Sequence, residues 1–103
     1  MMKKNIAVVG CGHWGKNLVR NFYELQALGS VCDPNQQISG TLANQFNVKN
    51  HSFKEILDDP DIRGVVLAVP AELHASMAVE VMNKGKHVFV EKPLAMNETE
   101  ADL

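Results

Sequence analysis

The sequence is poor in cysteine and carries no strong excess of either charge. Its two cysteines, Cys11 and Cys32, form no CxxC pair and have no clustered histidines beside them, so neither a metal site nor a disulfide framework is predicted. Lysine and arginine number 10 against 12 acidic residues. Because nucleic acid and anionic membrane surfaces select a basic excess, neither is expected as a partner. The composition favours a reducing, cytoplasmic location.

Long hydrophobic runs are also lacking. The longest cover residues 6–10 and 65–70, whereas a helix that spans a membrane needs roughly 20 apolar residues. The chain has 103 residues, of which 46% are hydrophobic, and this is enough for one buried core. We therefore expect a single domain over residues 1–103 that does not cross a membrane.

Short apolar runs alternate with amphipathic stretches along the chain. The predicted strands are residues 5–9, 30–32, 64–69 and 87–90, with an irregular stretch at 48–51 as a weak fifth candidate. Apolar residues at helical spacing lie between them. This alternation is typical of an α/β fold with a doubly wound parallel sheet, for which we predict the strand order 3-2-1-4-5.

The spacing of apolar residues also predicts which helix faces are buried. The inner faces are expected to carry Trp14, Leu18, Phe22 and Leu25 in one helix, Ile38, Leu42 and Phe46 in the next, and Leu73, Met77, Val81 and Met82 in the last. Gly40 lies inside the second of these helices and costs it about 1 kcal/mol relative to alanine. A short helix is predicted over residues 53–57.

The final residues predict the beginning of another helix. Asn97-Glu98-Thr99-Glu100 has the spacing of a capping box. Only the six residues 98–103 follow Asn97, whereas an isolated helix needs roughly 12 to 15. We therefore expect the domain to be incomplete at its carboxyl end.

A GxGxxG pattern follows the first predicted strand and opens a helix: Gly10-Cys11-Gly12-His13-Trp14-Gly15. In this context the pattern predicts dinucleotide binding. Gly10 permits a tight turn, Gly12 lets a pyrophosphate approach the backbone, and Gly15 lets helix and strand pack closely. The N–H groups of the first helical turn attract phosphate. The context disfavours the alternative, a plain turn with three incidental glycines.

Asp33 ends the second predicted strand. At this place an acidic side chain accepts hydrogen bonds from the hydroxyls of the adenosine ribose. Its charge would repel a 2′-phosphate, so NAD is favoured over NADP as the cofactor. Asp33-Pro34-Asn35 is also a good turn and helix-capping sequence, and the two roles are compatible.

Two more segments follow predicted strands, at residues 68–74 and 91–93. Because the carboxyl ends of parallel strands meet at one edge of the sheet, Val69, Pro70, His74 and Lys92 are expected to face the crevice of the glycine loop. His74 suits a structural hydrogen bond and a cofactor contact equally well. Trp14 has packing as its favoured role.

Together these features resemble the amino-terminal half of the Gfo/Idh/MocA oxidoreductases. The resemblance rests on the glycine loop, Asp33, the segment from Pro70 to His74, and Glu91-Lys92-Pro93. It covers essentially the whole chain in the family's order. Glu-Lys-Pro discriminates best, because S-adenosylmethionine enzymes share the glycine loop but are not expected to carry it. Residues 12–22 further resemble members that act on nucleotide sugars in polysaccharide synthesis.

The resemblance implies a Rossmann domain that binds NAD, with His13 and Trp14 in its phosphate loop. In the full-length relative, hydride would pass between NAD and a hydroxyl of a sugar or nucleotide sugar. Lys92 would be the catalytic residue and would hydrogen-bond that hydroxyl, while Glu91 would contact the cofactor side and fix the loop. A second α/β domain, absent from this sequence, would complete the site, so this chain alone is expected to be inactive.

Other functions remain open at this point. The chain could be a non-catalytic NAD-binding or regulatory module, or an inactive gene fragment, in which Lys92 is idle, or it could bind S-adenosylmethionine. An uncovered sheet edge would favour a homo-oligomer. Cys11 and Cys32 end neighbouring strands, yet free packed thiols are favoured over a disulfide.

Overall fold

The computed structural model describes residues 4–90 as five strands and four helices. The strands are β1 (Ile6–Val9), β2 (Leu28–Cys32), β3 (Lys49–Asn50), β4 (Gly64–Leu67) and β5 (His87–Val90). The helices are α1 (His13–Glu24), α2 (Gln36–Phe46), α3 (Phe53–Asp58) and α4 (Ala71–Asn83). Strands and helices alternate throughout, which confirms the predicted α/β class.

The five strands form one parallel sheet in the order β3-β2-β1-β4-β5. In the centre, Val8 of β1 lies between Val31 of β2 and Val66 of β4. The order confirms the prediction. It places the carboxyl ends of β1, β2 and β4 side by side at one edge of the sheet.

Each face of the sheet carries its own apolar core. On the α1/α2 face, Val8, Val31 and Val66 pack with Val19 and Leu42. The opposite, α3/α4 face is formed by another set: Ala7, Val9, Val65, Leu67, Ile56 and Val81. Because neighbouring residues of β1 and β4 are buried on opposite faces, these strands read as continuous apolar runs in the sequence.

Four strands have bounds that differ from the prediction, and β1 differs least because it begins at Ile6 rather than at residue 5. β2 begins at Leu28, so Gly29 lies within it, where an added Cβ would stand 2.4 Å from the carbonyl oxygen of Lys4. β4 ends at Leu67 rather than at residue 69, because the chain turns there to enter α4, which Pro70 precedes as its N-cap. The irregular stretch at 48–51 contains the two residues of β3.

The helix faces match the prediction in part. Leu18 and Phe22 pack on the α1/α2 core, and Met77 and Val81 on the other. Three residues expected inside are instead exposed, at 58% for Leu25, 44% for Leu73 and 54% for Met82.

The exposure of these three leucine and methionine side chains follows from their positions in the helices. Leu25 is the C-cap of α1, after which the chain reverses through Gln26 at a positive φ of 61°. Leu73 lies in the first turn of α4, beyond the carboxyl end of β4. In the same helix, Met77, Ala78 and Val81 cover the core, which leaves Met82 at the side.

Local capping sets the ends of the other helices. Asn35 accepts a hydrogen bond from the N–H of Gln37 and so begins α2. Ser52 and Glu55 form a capping box at α3, in which each side chain accepts from the other's N–H, at 3.1 and 2.8 Å. The hydrogen bond from the Ser52 N–H lowers the pKa of the Glu55 carboxyl. Gly85, at a φ of 74°, follows the C-cap of α4.

No helix within residues 4–90 combines the length and the apolar character that crossing a membrane requires. The Glu91-Lys92-Pro93 segment and the helix predicted from Asn97 lie outside the described residues.

Candidate dinucleotide-binding site

The glycine loop between β1 and α1 is closed by two contacts that leave no room for a side chain. Gly10 has a φ of 97°, and an added Cβ would stand 2.3 Å from the carbonyl oxygen of Ala68. At Gly15 an added Cβ would stand 1.7 Å from the carbonyl oxygen of Gly10. Backbone atoms cannot move away cheaply, so both positions require glycine. The structure thus shows the tight turn and the close helix–strand contact that the sequence predicts for them.

Gly12 is different because it faces open space. An added Cβ there would meet no atom within 4 Å, and the φ of −74° suits any residue. Gly12 is the N-cap of α1, and neither a capping side chain nor an acidic residue occupies the first turn. The first N–H groups of a helix have no partner within it and carry partial positive charge. The open backbone beside them therefore fits the approach of a pyrophosphate.

His13 and Trp14 form the beginning of α1, directly after Gly12. Their backbone lies in the first helical turn, at the same carboxyl edge of the sheet as the rest of the loop. Their roles in cofactor binding stay predictions.

Asp33 lies directly after β2 and faces the glycine loop. Its Oδ2 accepts a hydrogen bond of 2.7 Å from the N–H of Cys11, and its Oδ1 accepts one of 2.8 Å from the N–H of Asn35. The second bond is the turn that Asp33-Pro34-Asn35 predicts. Sequence reasoning missed the first, because the Cys11 donor is a backbone group and leaves no trace in the side-chain pattern.

The segment after β4 lies against the same loop. The N–H of Ala68 donates to the carbonyl of Val9 at 2.8 Å, and the carbonyl of Ala68 approaches Gly10. Val69 is half-buried and Pro70 is exposed. The carboxyl ends of β1, β2 and β4 thus bring the glycine loop, Asp33 and residues 68–70 together.

His74, in the first turn of α4, contacts the backbone of its own loop. Its Nε2 lies 2.7 Å from the carbonyl oxygen of Val69. A carbonyl can only accept, so Nε2 carries the proton and donates it. This is the structural role that the sequence left open, and Nδ1 keeps an acceptor lone pair when the ring is neutral.

Both cysteines are buried and free. The thiol of Cys11 donates to the carbonyl of Cys32 at 3.4 Å, but its side chain packs in the α1/α2 core, whereas Cys32 packs on the opposite face. The two thiols are thus free and pack on opposite faces of the sheet. Burial raises the pKa of Cys11 to about 12 and that of Cys32 to about 11.

A groove of about 590 Å³ begins at Gly12 and runs between α1 and α2. Lys16, Gln37 and Thr41 contribute polar side chains to its walls, and Ile38 and Leu42 contribute apolar ones. All three polar residues are exposed. Lys16 therefore lies on a solvated helix face next to the loop.

Comparison with known proteins identifies the family. The family model of the Gfo/Idh/MocA oxidoreductases, described as an oxidoreductase family with an NAD-binding Rossmann fold, matches residues 4–102. The levoglucosan dehydrogenase of Pseudarthrobacter phenanthrenivorans is 32% identical over 92% of this chain and 27% of its own length. A glycosyl hydrolase family 109 protein of a Shewanella species is 32% identical over 88% of this chain and 23% of its own.

Solved structures agree with this assignment. The WlbA dehydrogenase of Bordetella pertussis, in complex with NADH and UDP-GlcNAcA, matches at a TM-score of 0.79 and 28% identity, over 97% of this chain and 32% of that protein. The chain thus spans about a quarter to a third of the proteins that it resembles. It belongs to the Gfo/Idh/MocA oxidoreductase family and corresponds to the NAD-binding Rossmann fold of that family.

Proposed function

We propose that this chain binds NAD along the carboxyl edge of its sheet and is the cofactor-binding part of a dehydrogenase. The substrate that we propose is a hydroxyl of a sugar or nucleotide sugar. The glycine loop carries the proposal, since Gly10 and Gly15 are closed by backbone contacts while Gly12 is open. The chain spans about a third of the length of its relatives or less. The activity and the substrate are therefore proposed for a longer protein that contains this chain.

In this proposal each residue of the edge has a position relative to NAD. The pyrophosphate lies over Gly12 and the first turn of α1, formed by His13 and Trp14, where the helix N–H groups face it. Asp33 lies on the adenosine side, where a carboxylate accepts from ribose hydroxyls and disfavours a 2′-phosphate. Val69, Pro70 and His74 line the crevice from the β4 side.

The chemical step depends on Glu91 and Lys92, which follow β5. NAD supplies the acceptor for the hydride that leaves the substrate carbon. Lys92 hydrogen-bonds the substrate hydroxyl and orients it, and as the neutral amine it accepts the hydroxyl proton when the substrate carbon is oxidised. Glu91 fixes the loop that carries Lys92. In a full-length protein with measurable turnover, Lys92→Ala should abolish that turnover, and unchanged turnover would contradict the role proposed for Lys92.

The substrate class is supported by relatives. Among the proteins that this chain resembles are a levoglucosan dehydrogenase and a dehydrogenase solved with UDP-GlcNAcA. A cytoplasmic location and a homo-oligomer complete the proposal. They are supported by the two free thiols and by the exposed apolar side chains of β5, Phe89 and Val90.

The test replaces Gly12 by valine. Since a side chain at Gly12 meets no atom within 4 Å and the φ of −74° is not in the left-handed region, the variant should fold normally by circular dichroism. Its side chain would occupy the place of the pyrophosphate, so calorimetric titration should show NAD affinity lower by about tenfold or more. The unmodified chain should bind NAD more tightly than NADP.

Gly40→Ala provides the control, because it adds a side chain in α2, where an added Cβ would make an ordinary contact of 3.6 Å with Asn50. It should leave NAD affinity unchanged. Unchanged affinity in Gly12→Val, or no binding by the unmodified chain at millimolar NAD, would contradict the proposal.

A further inference from the structure

Three hydrogen bonds join the glycine loop to the end of β2. The N–H of Gly10 donates to the carbonyl of Cys32 at 2.8 Å, and the thiol of Cys11 donates to the same carbonyl at 3.4 Å. The N–H of Cys11 donates to the carboxylate of Asp33 at 2.7 Å. The last of these is the shortest, and it has a charged acceptor, which makes it the strongest type of hydrogen bond among the three.

The Asp33 carboxylate uses both of its oxygens in this arrangement. Oδ2 bonds the loop through Cys11 and Oδ1 bonds the beginning of the α2 turn through Asn35, so one side chain joins the two segments at the nucleotide edge. A carboxylate accepts about four hydrogen bonds. Two acceptor positions therefore remain for ribose hydroxyls while the loop stays attached, and Asp33 is only half-buried.

We propose that Asp33 is a positioning residue for the glycine loop as well as a specificity residue for the cofactor. By accepting from the Cys11 N–H it holds the loop at the end of β2, with the backbone at Gly12 facing outward before any ligand arrives. The part of this inference that concerns NAD rests on the proposed function. The part that concerns the loop depends only on hydrogen bonds that are present in the protein without ligand.

A consequence for cofactor preference follows. Replacing Asp33 by a small neutral residue removes the charge that repels a 2′-phosphate, but it also removes the acceptor for Cys11. Such a variant should move its preference from NAD toward NADP while its affinity for both falls. The acidic residue therefore cannot be exchanged without a cost to the phosphate site.

The test compares Asp33→Asn with Asp59→Asn. In Asp33→Asn the amide nitrogen opposes one of the two backbone donors, so one of the two bonds is lost. Asp59 is the matched control, since its Oδ1 accepts from the N–H two residues later, that of Asp61, at 2.8 Å, as Asp33 does from Asn35. Asp59 has no bond to the glycine loop. Asp33→Ser is a second variant, because a hydroxyl can keep the turn to Asn35 but is too short to replace the bond to Cys11.

The first readout is hydrogen exchange of the Cys11 amide in the absence of ligand. It should quicken about tenfold in Asp33→Ser and not in Asp59→Asn. In Asp33→Asn it should quicken when the amide nitrogen, and not the amide oxygen, faces Cys11. Should Asp33→Asn fail to fold, Asp33→Ser decides by the same readout. Unchanged exchange at Cys11 in folded Asp33→Ser overturns the inference, because that variant has no side-chain acceptor within reach of the Cys11 N–H.

The second readout is affinity for NAD and for an NAD analogue that lacks both hydroxyls of the adenosine ribose. Anchoring of the loop predicts that the Asp33 variants weaken both ligands, the analogue by about tenfold. A loss confined to NAD means that Asp33 acts through the ribose alone, which overturns the inference. If the unmodified protein binds neither ligand while Cys11 exchange still responds, the proposed function fails and the anchoring role stands.

Discussion

Single atoms decide where the glycine loop can accept change. Gly15 has no space for a Cβ because the carbonyl oxygen of Gly10 lies within 1.7 Å of where it would be, whereas Gly12 has no neighbour within 4 Å. Both positions are glycine in the GxGxxG pattern, so the pattern does not distinguish them. Their roles differ, since Gly15 serves packing of α1 on β1 and Gly12 leaves the backbone open to a ligand.

The buried thiols predict how stability depends on pH above neutrality. The pKa values of Cys11 and Cys32 are raised from an ordinary 9.0 to about 12 and about 11, with burial as the largest cause. A raised thiol pKa means that the folded state keeps its protons when the unfolded chain has lost them. This contribution to stability is complete below about pH 9 and is lost as the pH rises toward about 11 to 12.

The expected outcome is a steeper alkaline fall in the free energy of unfolding for the unmodified protein than for a variant with Cys11→Ala and Cys32→Ala. Urea unfolding at several pH values between about 8 and 10 measures both slopes. The variant can be less stable at every pH because it loses packed atoms, so the slopes carry the comparison. Equal slopes would contradict the assignment of raised pKa values.

At the scale of elements, alanine substitutions at two glycines, one inside a helix and one after a helix, should change the free energy of unfolding in opposite directions. Gly40 lies inside α2, where alanine is the better helix former and its Cβ would have an ordinary contact of 3.6 Å. Gly85 follows α4 at a φ of 74°, a conformation that alanine adopts at a cost although nothing crowds it. Gly40→Ala should raise the free energy of unfolding by about 0.5–1 kcal/mol, and Gly85→Ala should lower it by about 1–2 kcal/mol.

Chemical denaturation of the two variants against the unmodified chain checks this pair. Each variant serves as the control for the other, because both add one methyl group and differ only in the backbone conformation that receives it. A change of the same sign in both would show that local backbone preference does not govern these sites.

Element boundaries show where pattern reading ends. Apolar periodicity, which is a local property, predicts that β1, β2, β4 and β5 exist and in which order they follow along the chain. The extension of β2 to Leu28 and the end of β4 at Leu67 depend on pairing across the sheet and on the turn into α4. Leu25, Leu73 and Met82 carry the correct spacing, yet their exposure is decided by what lies opposite them.

At the scale of the whole molecule, strand β5 lies at one edge of the sheet and leaves apolar side chains exposed. Phe89 pairs in register with Val66, which packs in the α1/α2 core, yet Phe89 is 52% exposed. Helices α1 and α2 cover β1 and β2 on that face and do not reach β5. Val90 and Met82 are also exposed at this end of the sheet, on the α3/α4 face, where Val88 packs. Exposed apolar side chains of this kind favour association.

We expect the purified chain to self-associate in a concentration-dependent way by light scattering, and Phe89→Lys to reduce the association. Leu25→Lys is the matched control, since Leu25 is 58% exposed but lies at the end of α1, where no apolar surface of β5 is present. It should leave the association unchanged. If Phe89→Lys and Leu25→Lys reduced the association equally, net charge and not the β5 surface would control it.

The sequence by itself determined the α/β class and the place of the glycine loop, because both depend on short-range periodicity and on glycines at fixed spacing. The strand order followed from that class, because crossovers between parallel strands are right-handed. The sequence also identified Asp33, since an acidic residue after β2 is visible in the chain. Only the tertiary structure decided that Asp33 binds the N–H of Cys11, that the two thiols lie on opposite faces of the sheet, and that Phe89 is uncovered. These features depend on atoms distant in sequence, whose distances are set by packing and strand pairing and not by the spacing of residues along the chain.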